Sequence, residues 1–356
     1  MKKTFVIKPT NKCNFSCTYC YAASERLNSN NLSIEKARLI ANWIFLYSKI
    51  TNAESIELIW HGGEPLLVGI DFYSEILSYI DFLGKRERII TEHSIQSNLS
   101  LINDKFINIL KKYFNSSIGF SLDYNTGERK FNNGKDAQNF LVEKYKSIKE
   151  KGINISAITI ITPKNISDIS GLYNFFKKIG CDFKCHRVFP PTIKIRQLEK
   201  LYTDDFCYLN ALIELFDLWF YDNNPTVEII NFVDIATSLI SGNPVTCSQG
   251  SDCQNNFLAI SPDGTISPCG RFGVSEAYGN VFIDSPHTII DNISKKSLDK
   301  HYRFQKCDSC RFSVLCNGGC LHDRYTGNFE HYCYENLGIF NHIEKRLKEK
   351  GIGIAF

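Results

Sequence analysis

Fourteen of the 356 residues are cysteines, and this feature limits most strongly what the chain can be. Cysteine at such a density indicates either a disulfide framework in an oxidising compartment or metal ligands in a reducing one. The N-terminal apolar run ends at Lys8 and Pro9, which makes it too short for the hydrophobic segment of a signal peptide. A cytoplasmic chain keeps its thiols reduced, so the sequence predicts a cytoplasmic protein that binds metal.

Composition excludes several other classes of protein. Hydrophobic residues make up 43% and charged residues 22%, as in ordinary folded proteins. The 41 basic residues nearly balance the 38 acidic ones, and the lysine-rich runs at 144–151 and 345–350 contain glutamates, as solvated helix faces do. No apolar run approaches the length of about 18 residues that a membrane span needs. We therefore expect no nucleic-acid partner and no membrane partner.

Short β-branched runs alternate with longer segments of helical periodicity over the first 220 residues. This alternation predicts the α/β class, with a parallel sheet and crossover helices. Six such units can curl into a partial (β/α)6, TIM-like barrel with its chemistry at the carboxyl ends of the strands, and a three-layer open sheet is the alternative. The predicted strands are 4–8, 55–60, 88–96, 118–122, 153–161 and 183–189, and the predicted helices are 33–49, 71–83, 103–114, 136–150, 168–179 and 203–222.

The character of the sequence changes near residue 240. The following ninety residues or so are rich in Cys, Gly, Asn and Ser and lack periodicity, so we expect metal cross-links to replace a hydrophobic core there. A last helix is predicted at 335–349, and the apolar tail behind it should pack onto the body. The predicted division is a core barrel at 1–225, a linker at 226–246, a cysteine-rich domain at 247–340, and a helix end and tail at 341–356.

Three cysteines follow directly on the first predicted strand, in the sequence CNFSCTYC. Cys13, Cys17 and Cys20 can each bind a different iron of one four-iron cluster, which leaves the fourth iron open for chemistry. A structural zinc site is the alternative, but such a site requires four ligands. The spacing therefore favours an iron–sulfur cluster.

This CxxxCxxC spacing, with Tyr19 before the third cysteine, resembles the radical S-adenosylmethionine (SAM) superfamily. The resemblance implies a [4Fe-4S] cluster on Cys13, Cys17 and Cys20, with SAM chelated to the open iron through its amino and carboxylate groups. One electron from the cluster then cleaves SAM to a 5'-deoxyadenosyl radical. On this resemblance the chain is an enzyme, a radical SAM oxidoreductase.

Motifs behind the later strands resemble the SAM-binding motifs of the same superfamily. WHGGEP (Trp60–Pro65) resembles the GGE motif, whose glycines allow a close backbone approach and whose carboxylate receives the ammonium group of SAM. QSN (Gln96–Asn98) and SLD (Ser121–Asp123) follow the third and fourth strands. Tyr124 departs from the pattern, since related enzymes commonly carry glycine there. The resemblance implies that SAM is bound by Tyr19, Gly62, Gly63, Glu64, Gln96, Asn98, Ser121, Asp123, Arg129 and Asn165.

Eight further cysteines lie between Cys247 and Cys333, enough for two sites of four. Their stretch CDSCRFSVLCNGGC resembles the SPASM extension of radical SAM enzymes, which carries two auxiliary [4Fe-4S] clusters and is typical of peptide and protein maturases. Two structural zinc sites are the alternative, and the residues alone leave the pairing of cysteines with clusters open. The resemblance implies three [4Fe-4S] clusters in all, with Cys247, Cys253, Cys269 and Cys320 on auxiliary cluster I and Cys307, Cys310, Cys316 and Cys333 on auxiliary cluster II.

The remaining candidates carry weaker signals. Cys181, Cys185 and Cys207 are expected to be small buried thiols with a structural role. His61, beside the GGE motif, is a functional candidate, although packing or hydrogen bonding is its more ordinary role. The sequence identifies no catalytic acid or base; Arg187, Arg271 and Asp323 are weak polar candidates.

The sequence WHGGEPLL resembles maturases of ribosomally made peptides that join an aromatic ring to the β-carbon of a nearby residue, as a cyclophane or a related ether. The leading prediction is thus a maturase that cross-links a precursor peptide. A thioether-forming maturase is disfavoured, since eight cysteines would ligate both auxiliary clusters fully. An anaerobic sulfatase maturase, which makes formylglycine, is the main alternative, but those enzymes carry an aspartate where Gly270 follows Cys269. A non-catalytic electron carrier would leave the SAM motifs without a purpose.

The resemblance also implies partners. A flavodoxin- or ferredoxin-type protein should supply the electron. Cys13 lies so close to the N-terminus that no leader-binding module is expected before the barrel. The precursor peptide should therefore bind to the barrel and SPASM surfaces directly or through a separate leader-binding protein.

Overall fold

The computed structural model describes residues 1–23, 31–189, 196–249, 253–296, 298 and 304–355. The chain forms two compact units, and neither is continuous in sequence. Unit 1 consists of 1–121, 127–155 and 254–296, and unit 2 consists of 122–126, 156–253 and 297–356.

Strands and helices alternate along the first two thirds of the chain. The strands are β1 (Lys2–Thr10), β2 (Ser55–Gly62), β3 (Ile90–Ser97), β4 (Ser117–Ser121), β5 (Asn154–Ile161), β6 (Phe183–Arg187), β7 (Phe257–Ile260), β8 (Thr265–Ser267) and β9 (Gly279–Asn280). The helices are α1 (Ile34–Ile50), α2 (Ile70–Glu87), α3 (Asp104–Tyr113), α4 (Gln138–Lys149), α5 (Ile169–Ile179), α6 (Arg196–Glu199), α7 (Asp205–Phe220), α8 (Ile230–Ser241), α9 (Cys253–Asn256), α10 (Pro286–Lys296), α11 (Ser313–Cys316), α12 (Leu321–Tyr325) and α13 (Phe329–Glu349).

Unit 1 is built on a sheet in the strand order β4-β3-β2-β1-β7-β8-β9. The first five of these strands are parallel to their neighbours, and β8 and β9 add antiparallel. Phe5 of β1 lies opposite Leu58 of β2, Ile7 lies opposite Trp60, and all four side chains are buried. Near-continuous burial along β1 is what a parallel strand covered on both faces requires.

Several helices begin at the polar residues that the sequence places ahead of them. The side chains of Ser33 and Asn103 accept backbone N–H bonds at the starts of α1 and α3, and Asp168 and Asp204 do so at α5 and α7. Such caps satisfy donors that the first turn of a helix leaves open. The starts of these helices are therefore encoded locally.

Unit 2 contains the parallel pair of β5 and β6, in which Ala157 lies opposite Phe183. Helix α7 packs on α13, where Asp217 accepts from Arg346 Nη2 at 2.7 Å and contacts His342 Nε2 at 2.8 Å. The tail returns to α8, with Ala355 N donating to Leu239 O at 3.1 Å. The expectation that the tail packs onto the body is confirmed within this unit.

The six predicted strand–helix pairs are confirmed to within a few residues at each end. Helix α13 begins at Phe329, six residues ahead of the predicted start. The ring of Phe329 stacks on that of Phe304, with the ring centres 3.7 Å apart, and this contact holds the first turn. The segment predicted as a linker contains α8, whose Phe232 and Leu239 are fully buried, so it belongs to the body of unit 2. Strand β7 was not predicted. The domain division itself stays a prediction.

Within the described parts of the chain, no helix combines the length and the hydropathy that crossing a bilayer would take.

Candidate active site

The first cysteine cluster lies in a loop, residues 11–23, directly behind β1. The segment behind β4 holds this loop: Ser16 N donates to Lys130 O at 2.8 Å, and Thr18 N donates to Glu128 O at 3.0 Å. The Thr18 hydroxyl also donates to the Glu128 carboxylate. All three cysteines remain partly exposed. The loop is thus fixed at its backbone while its thiols stay accessible.

N–H groups point at the sulfur atoms of this loop. Phe15 N lies 3.4 Å and Asn98 Nδ2 lies 4.0 Å from Cys13 Sγ, and Arg129 Nη1 lies 3.8 Å from Cys17 Sγ. Hydrogen bonds to sulfur stabilise thiolates and are typical of the surroundings of iron–sulfur clusters. The residues present therefore fit a cluster held by Cys13, Cys17 and Cys20.

The two glycines of the GGE motif allow the chain to approach itself. A β-carbon on Gly63 would lie 2.5 Å from the carbonyl oxygen of Asn11 and closer still to that of Lys12. Gly62 has φ +121° and a β-carbon there would overlap Thr10 O, while Gly63 N donates to the same oxygen at 3.0 Å. The glycines therefore clamp the backbone that leads into the cysteine loop.

Glu64 is buried and already well supplied with hydrogen-bond donors. Its Oε1 accepts from Leu66 N at 3.1 Å and from Ser97 Oγ at 2.8 Å, and its Oε2 accepts from Asn98 N at 2.7 Å. Burial raises the pKa of this carboxyl to about 7, although the three donors favour its charged form. Glu64 thus ties the end of β2 to the end of β3, and its predicted contact with SAM stays a prediction.

Other predicted SAM residues of unit 1 lie on the same strand ends. Gln96 Nε2 donates to Ser121 Oγ at 3.2 Å, which links the ends of β3 and β4. The guanidinium of Arg129 lies 5.5 Å from the ring centre of Tyr19, besides its contact with Cys17. Unit 1 therefore connects the cysteine loop, the GGE motif and the end of β3 through direct contacts.

Asp123 and Asn165 lie in unit 2, where both support the backbone. Asp123 Oδ1 accepts from Ile160 N at 3.0 Å, and Asn165 Nδ2 donates to Tyr124 O at 3.0 Å and Ile160 O at 3.1 Å. Both side chains are buried. Tyr124, which replaces the glycine of related enzymes, donates its hydroxyl to Asp168 Oδ2 at 2.7 Å and so binds the N-cap of α5.

A second cysteine site occupies a cavity of about 380 Å³ within unit 2. All four cysteines predicted for auxiliary cluster II line it. Burial, and after it the neighbouring thiols, raise the pKa of Cys307, Cys316 and Cys333. Asn336 Nδ2 lies 3.8 Å from Cys316 Sγ. Four thiols, a donor to sulfur and a cavity of this size fit a four-iron cluster.

The ligands of auxiliary cluster I stay a prediction. Cys247 and Cys253 belong to unit 2 and Cys269 to unit 1, while Cys320 also lines the cavity of the other four cysteines. Asn317 Nδ2 donates to Gln249 O at 2.6 Å, which ties the turn of Cys247 to the loop ahead of Cys320.

Residues 7–176 of the chain match the radical SAM superfamily. The chain contains a radical SAM domain. A cysteine-type anaerobic sulfatase-maturating enzyme of Clostridium novyi (strain NT) is 29% identical over 98% of this chain and 95% of its own length.

Solved structures extend the likeness beyond the radical SAM domain. Native anSMEcpe with bound AdoMet and Cp18Cys peptide has a TM-score of 0.83 at 20% identity, over 97% of this chain and 98% of that one. Streptococcus suis SuiB bound to precursor peptide SuiA has a TM-score of 0.61 at 19% identity, over 92% of this chain and 72% of that one. The predicted fold class, a radical SAM α/β fold with a cysteine-rich C-terminal region, is confirmed.

Among the weak catalytic candidates, Arg187 is held in an ion-pair cluster at the end of β6. Its Nη1 donates to Asp205 at 2.9 Å, its Nε lies 3.4 Å from Glu335, and its guanidinium stacks 4.5 Å from the ring centre of Tyr208. Burial raises the pKa of Glu335 to about 7, and Arg187 opposes this. These contacts hold β6, α7 and α13 together, so they give Arg187 a structural role.

The other two weak candidates lie elsewhere. Arg271 is half-buried in unit 1, and Asp323 is buried beside the cavity of unit 2.

The remaining cysteines and His61 have ordinary surroundings. Burial raises the pKa of the Cys185 thiol to about 12 and so makes it unreactive, and Cys181 is buried too, as predicted. Cys207 is exposed, so its predicted burial is wrong; it lies on the outer face of α7. His61 Nδ1 accepts from Gly62 N at 2.7 Å, and burial lowers its pKa to about 4, so the imidazole is neutral.

Two residues near sulfur were not predicted. Asn336 follows Cys333 by three positions on α13, so both lie on the same face of the helix. A predicted helix start ahead of Cys333 would have placed Asn336 near that sulfur. Arg324 lines the cavity of unit 2 and is only 6% exposed. A buried arginine gives no signal in a sequence, where it resembles any surface cation.

Proposed function

We propose that this protein is a radical SAM maturase of peptides or proteins. The observation that carries the proposal is the cysteine loop behind β1, clamped by Gly62 and Gly63 and supplied with N–H donors at Cys13 and Cys17. When bound there, the cluster supplies the electron that cleaves SAM. With SAM also bound, the site would supply a 5'-deoxyadenosyl radical that can take a hydrogen atom from a side-chain carbon of the substrate, with methionine as the other product.

Two of the unit 1 residues that we assign to SAM, Asn98 and Arg129, contact the cysteine loop. Asn98 bridges the loop and the end of β3, since its amide also donates to Asn14 Oδ1 at 2.8 Å. Arg129 places a positive charge beside Cys17, where the SAM carboxylate would be drawn. The remaining assigned residues are Tyr19, Gly62, Gly63, Glu64, Gln96 and Ser121. Asp123 and Asn165 are assigned by resemblance alone.

The substrate class follows from the relatives. A sulfatase-maturating enzyme matches nearly the whole chain, and peptides are bound in the structures of anSMEcpe and SuiB. We therefore infer that the substrate is a peptide segment. Loss of a hydrogen atom, followed by loss of one electron and one proton, oxidises that segment and returns the electron spent on SAM.

For the product, we retain an intramolecular cross-link as the first candidate. In that reaction a side-chain carbon radical bonds to an aromatic ring or its oxygen, and the peptide loses two hydrogens in total. Gly270 and Arg271 stand where sulfatase maturases carry an aspartate base, which supports this choice. Formylglycine formation is the second candidate, favoured by the identity of 29% to the Clostridium novyi enzyme.

One incubation separates the candidates. Reduced protein, SAM and each of two peptides are combined without oxygen: a precursor with aromatic residues, and a cysteine peptide of sulfatase type. Loss of two hydrogens with a new bond to the ring supports the cross-link. Replacement of the thiol by an aldehyde supports formylglycine. Absence of 5'-deoxyadenosine from protein with its full iron content would defeat both.

The other partners are part of the same proposal. We place the protein in the cytoplasm, with a flavodoxin- or ferredoxin-type electron donor. The precursor is recognised through its leader, directly or through a separate leader-binding protein. Titration with full precursor, leader alone and core alone tests this, because turnover of the isolated core without its leader would contradict both versions.

A further inference from the structure

Among the described residues, three cations line the cysteine cavity of unit 2, and they differ in their exposure. Lys306 is 44% exposed and pairs with Glu330, and Arg311 is 53% exposed and pairs with Glu344. Arg324 is only 6% exposed. Water screens the first two charges, whereas the charge of Arg324 acts through the protein interior, where the effective dielectric constant is low.

Arg324 and Cys307, one of the four cysteines, lie on either side of Gly318. A β-carbon on Gly318 would lie 3.7 Å from Arg324 Cδ and 3.7 Å from Cys307 Sγ, so both side chains flank the same glycine. Asp323 next to Arg324 is also buried and lines the same cavity, and its charge raises the pKa of Glu335.

We propose that Arg324 raises the reduction potential of the cluster held by Cys307, Cys310, Cys316 and Cys333. Reduction adds one negative charge to a cluster, and a buried positive charge nearby stabilises that form over the oxidised one. The proposal rests on the assignment of these four cysteines as cluster ligands. It does not depend on which substrate the enzyme modifies.

The test is a potentiometric titration of reconstituted protein, followed by electron paramagnetic resonance. Changing Cys13, Cys17 and Cys20, and likewise Cys247, Cys253 and Cys269, to alanine first removes the overlapping signals of the SAM-binding cluster and of auxiliary cluster I. In this background we compare Arg324→Met, Arg324→Lys and the control Lys306→Met. Arg324→Met should shift the equilibrium at least tenfold toward the oxidised form, which corresponds to ~59 mV for one electron.

The other two variants show whether the buried charge is the cause. Arg324→Lys keeps a cation and should restore most of the potential. Lys306→Met should shift it less, and high salt should remove that smaller shift, since the charge of Lys306 is solvated.

Three results would overturn the proposal. An unchanged potential in Arg324→Met with full iron would show that the charge has no effect. An equal shift in Arg324→Lys, or loss of about four irons in both Arg324 variants, would show that the side chain matters for packing instead. The potential is measured without substrate, so failure of the proposed maturase activity would be seen separately.

Discussion

Glu64 shows how a motif residue can be engaged by the protein before any ligand arrives. Its three donors occupy both acceptor positions of Oε1 and one of Oε2, which leaves one position on Oε2 for an additional N–H group. Through Asn98, the same carboxylate controls a side chain that contacts Cys13. A substitution at Glu64 should therefore affect the cysteine loop even when SAM is absent.

We predict that Glu64→Gln lowers the free energy of unfolding by about 1 to 3 kcal/mol, because the new amide would face a backbone N–H. The change should also alter the spectrum of the reduced SAM-binding cluster in the absence of SAM. Urea unfolding and electron paramagnetic resonance measure the two effects, with the exposed Glu54→Gln as control. Unchanged stability together with weakened SAM binding would show that Glu64 acts on SAM alone.

His93 gives a prediction about pH. Its Nδ1 accepts from Trp60 Nε1 at 3.2 Å, and burial lowers its pKa to about 4, against about 6.5 in the unfolded chain. The folded state therefore favours the neutral ring, and its contribution to stability is complete above pH 6.5 and is lost as the pH falls toward 4. Between pH 7.5 and 5.5 the loss should be up to about 1.4 kcal/mol.

Urea unfolding of the wild type and of His93→Gln over this range tests the sign. The variant should lose less stability on acidification than the wild type, since glutamine can accept from Trp60 but does not titrate. His287→Gln, at an exposed position, should leave the slope unchanged. A wild type that gains stability relative to His93→Gln as the pH falls would contradict the prediction.

At the scale of elements, the connection between the end of β2 and the cysteine loop depends on Gly63. We predict that Gly63→Ala displaces the loop, because its β-carbon would overlap the carbonyl oxygens of Asn11 and Lys12. The variant should lose about four irons and the cleavage of SAM, with a destabilisation of about 1 to 3 kcal/mol. Gly353→Ala is the control, since nothing lies within 4 Å of its β-carbon. Full iron content and normal cleavage in Gly63→Ala would show that the clamp is not needed.

Hydrophobic periodicity was enough to predict the strands and helices up to α7, apart from the short helix α6. Strand β7 escaped prediction because its apolar run Phe257–Ile260 is short and its partner β1 is some 250 residues away in sequence. A turn follows at Pro262–Gly264, where Gly264 has φ +87°. This turn sequence was the feature that could have predicted the hairpin of β7 and β8. The first turns of α13 are not predicted because Cys333 and Asn336 line a cavity there, and these residues interrupt the apolar pattern of a helix.

The candidate site likewise has features that the sequence predicts and features that depend on tertiary structure. Cysteine spacing and the motifs at strand ends are local patterns, so the sequence predicted them. The bonds of Glu64 to Ser97 and Asn98 depend on the register that sets Trp60 opposite Ile95, which is a property of the assembled sheet. The burial of Arg324 depends on the cavity that surrounds it. Such relations arise only from tertiary structure.

At the scale of the whole molecule, each of the two units is assembled from separate segments of the sequence. Residues 254–296 follow the first cysteines of the C-terminal array, yet they belong to unit 1 because β7 pairs with β1. The remainder of the array, behind residue 297, belongs to unit 2. The cysteine-rich segment therefore contributes to both units, and a truncation after residue 246 should remove part of the sheet of unit 1.

The iron content of the whole protein provides the last prediction. Three four-iron clusters correspond to about twelve irons, and each ligand set should account for about four of them. Changing Cys13, Cys17 and Cys20 together to alanine should remove about four irons and all cleavage of SAM.

Changing the four cavity cysteines, Cys307, Cys310, Cys316 and Cys333, should also remove about four irons, because they line one cavity in unit 2. Cys207→Ala, at an exposed position on α7, should remove none. Metal analysis and the yield of 5'-deoxyadenosine measure both effects. Zinc in place of iron at the cavity cysteines would establish the structural alternative, and loss of about eight irons on changing those four would show that the two auxiliary sites depend on each other.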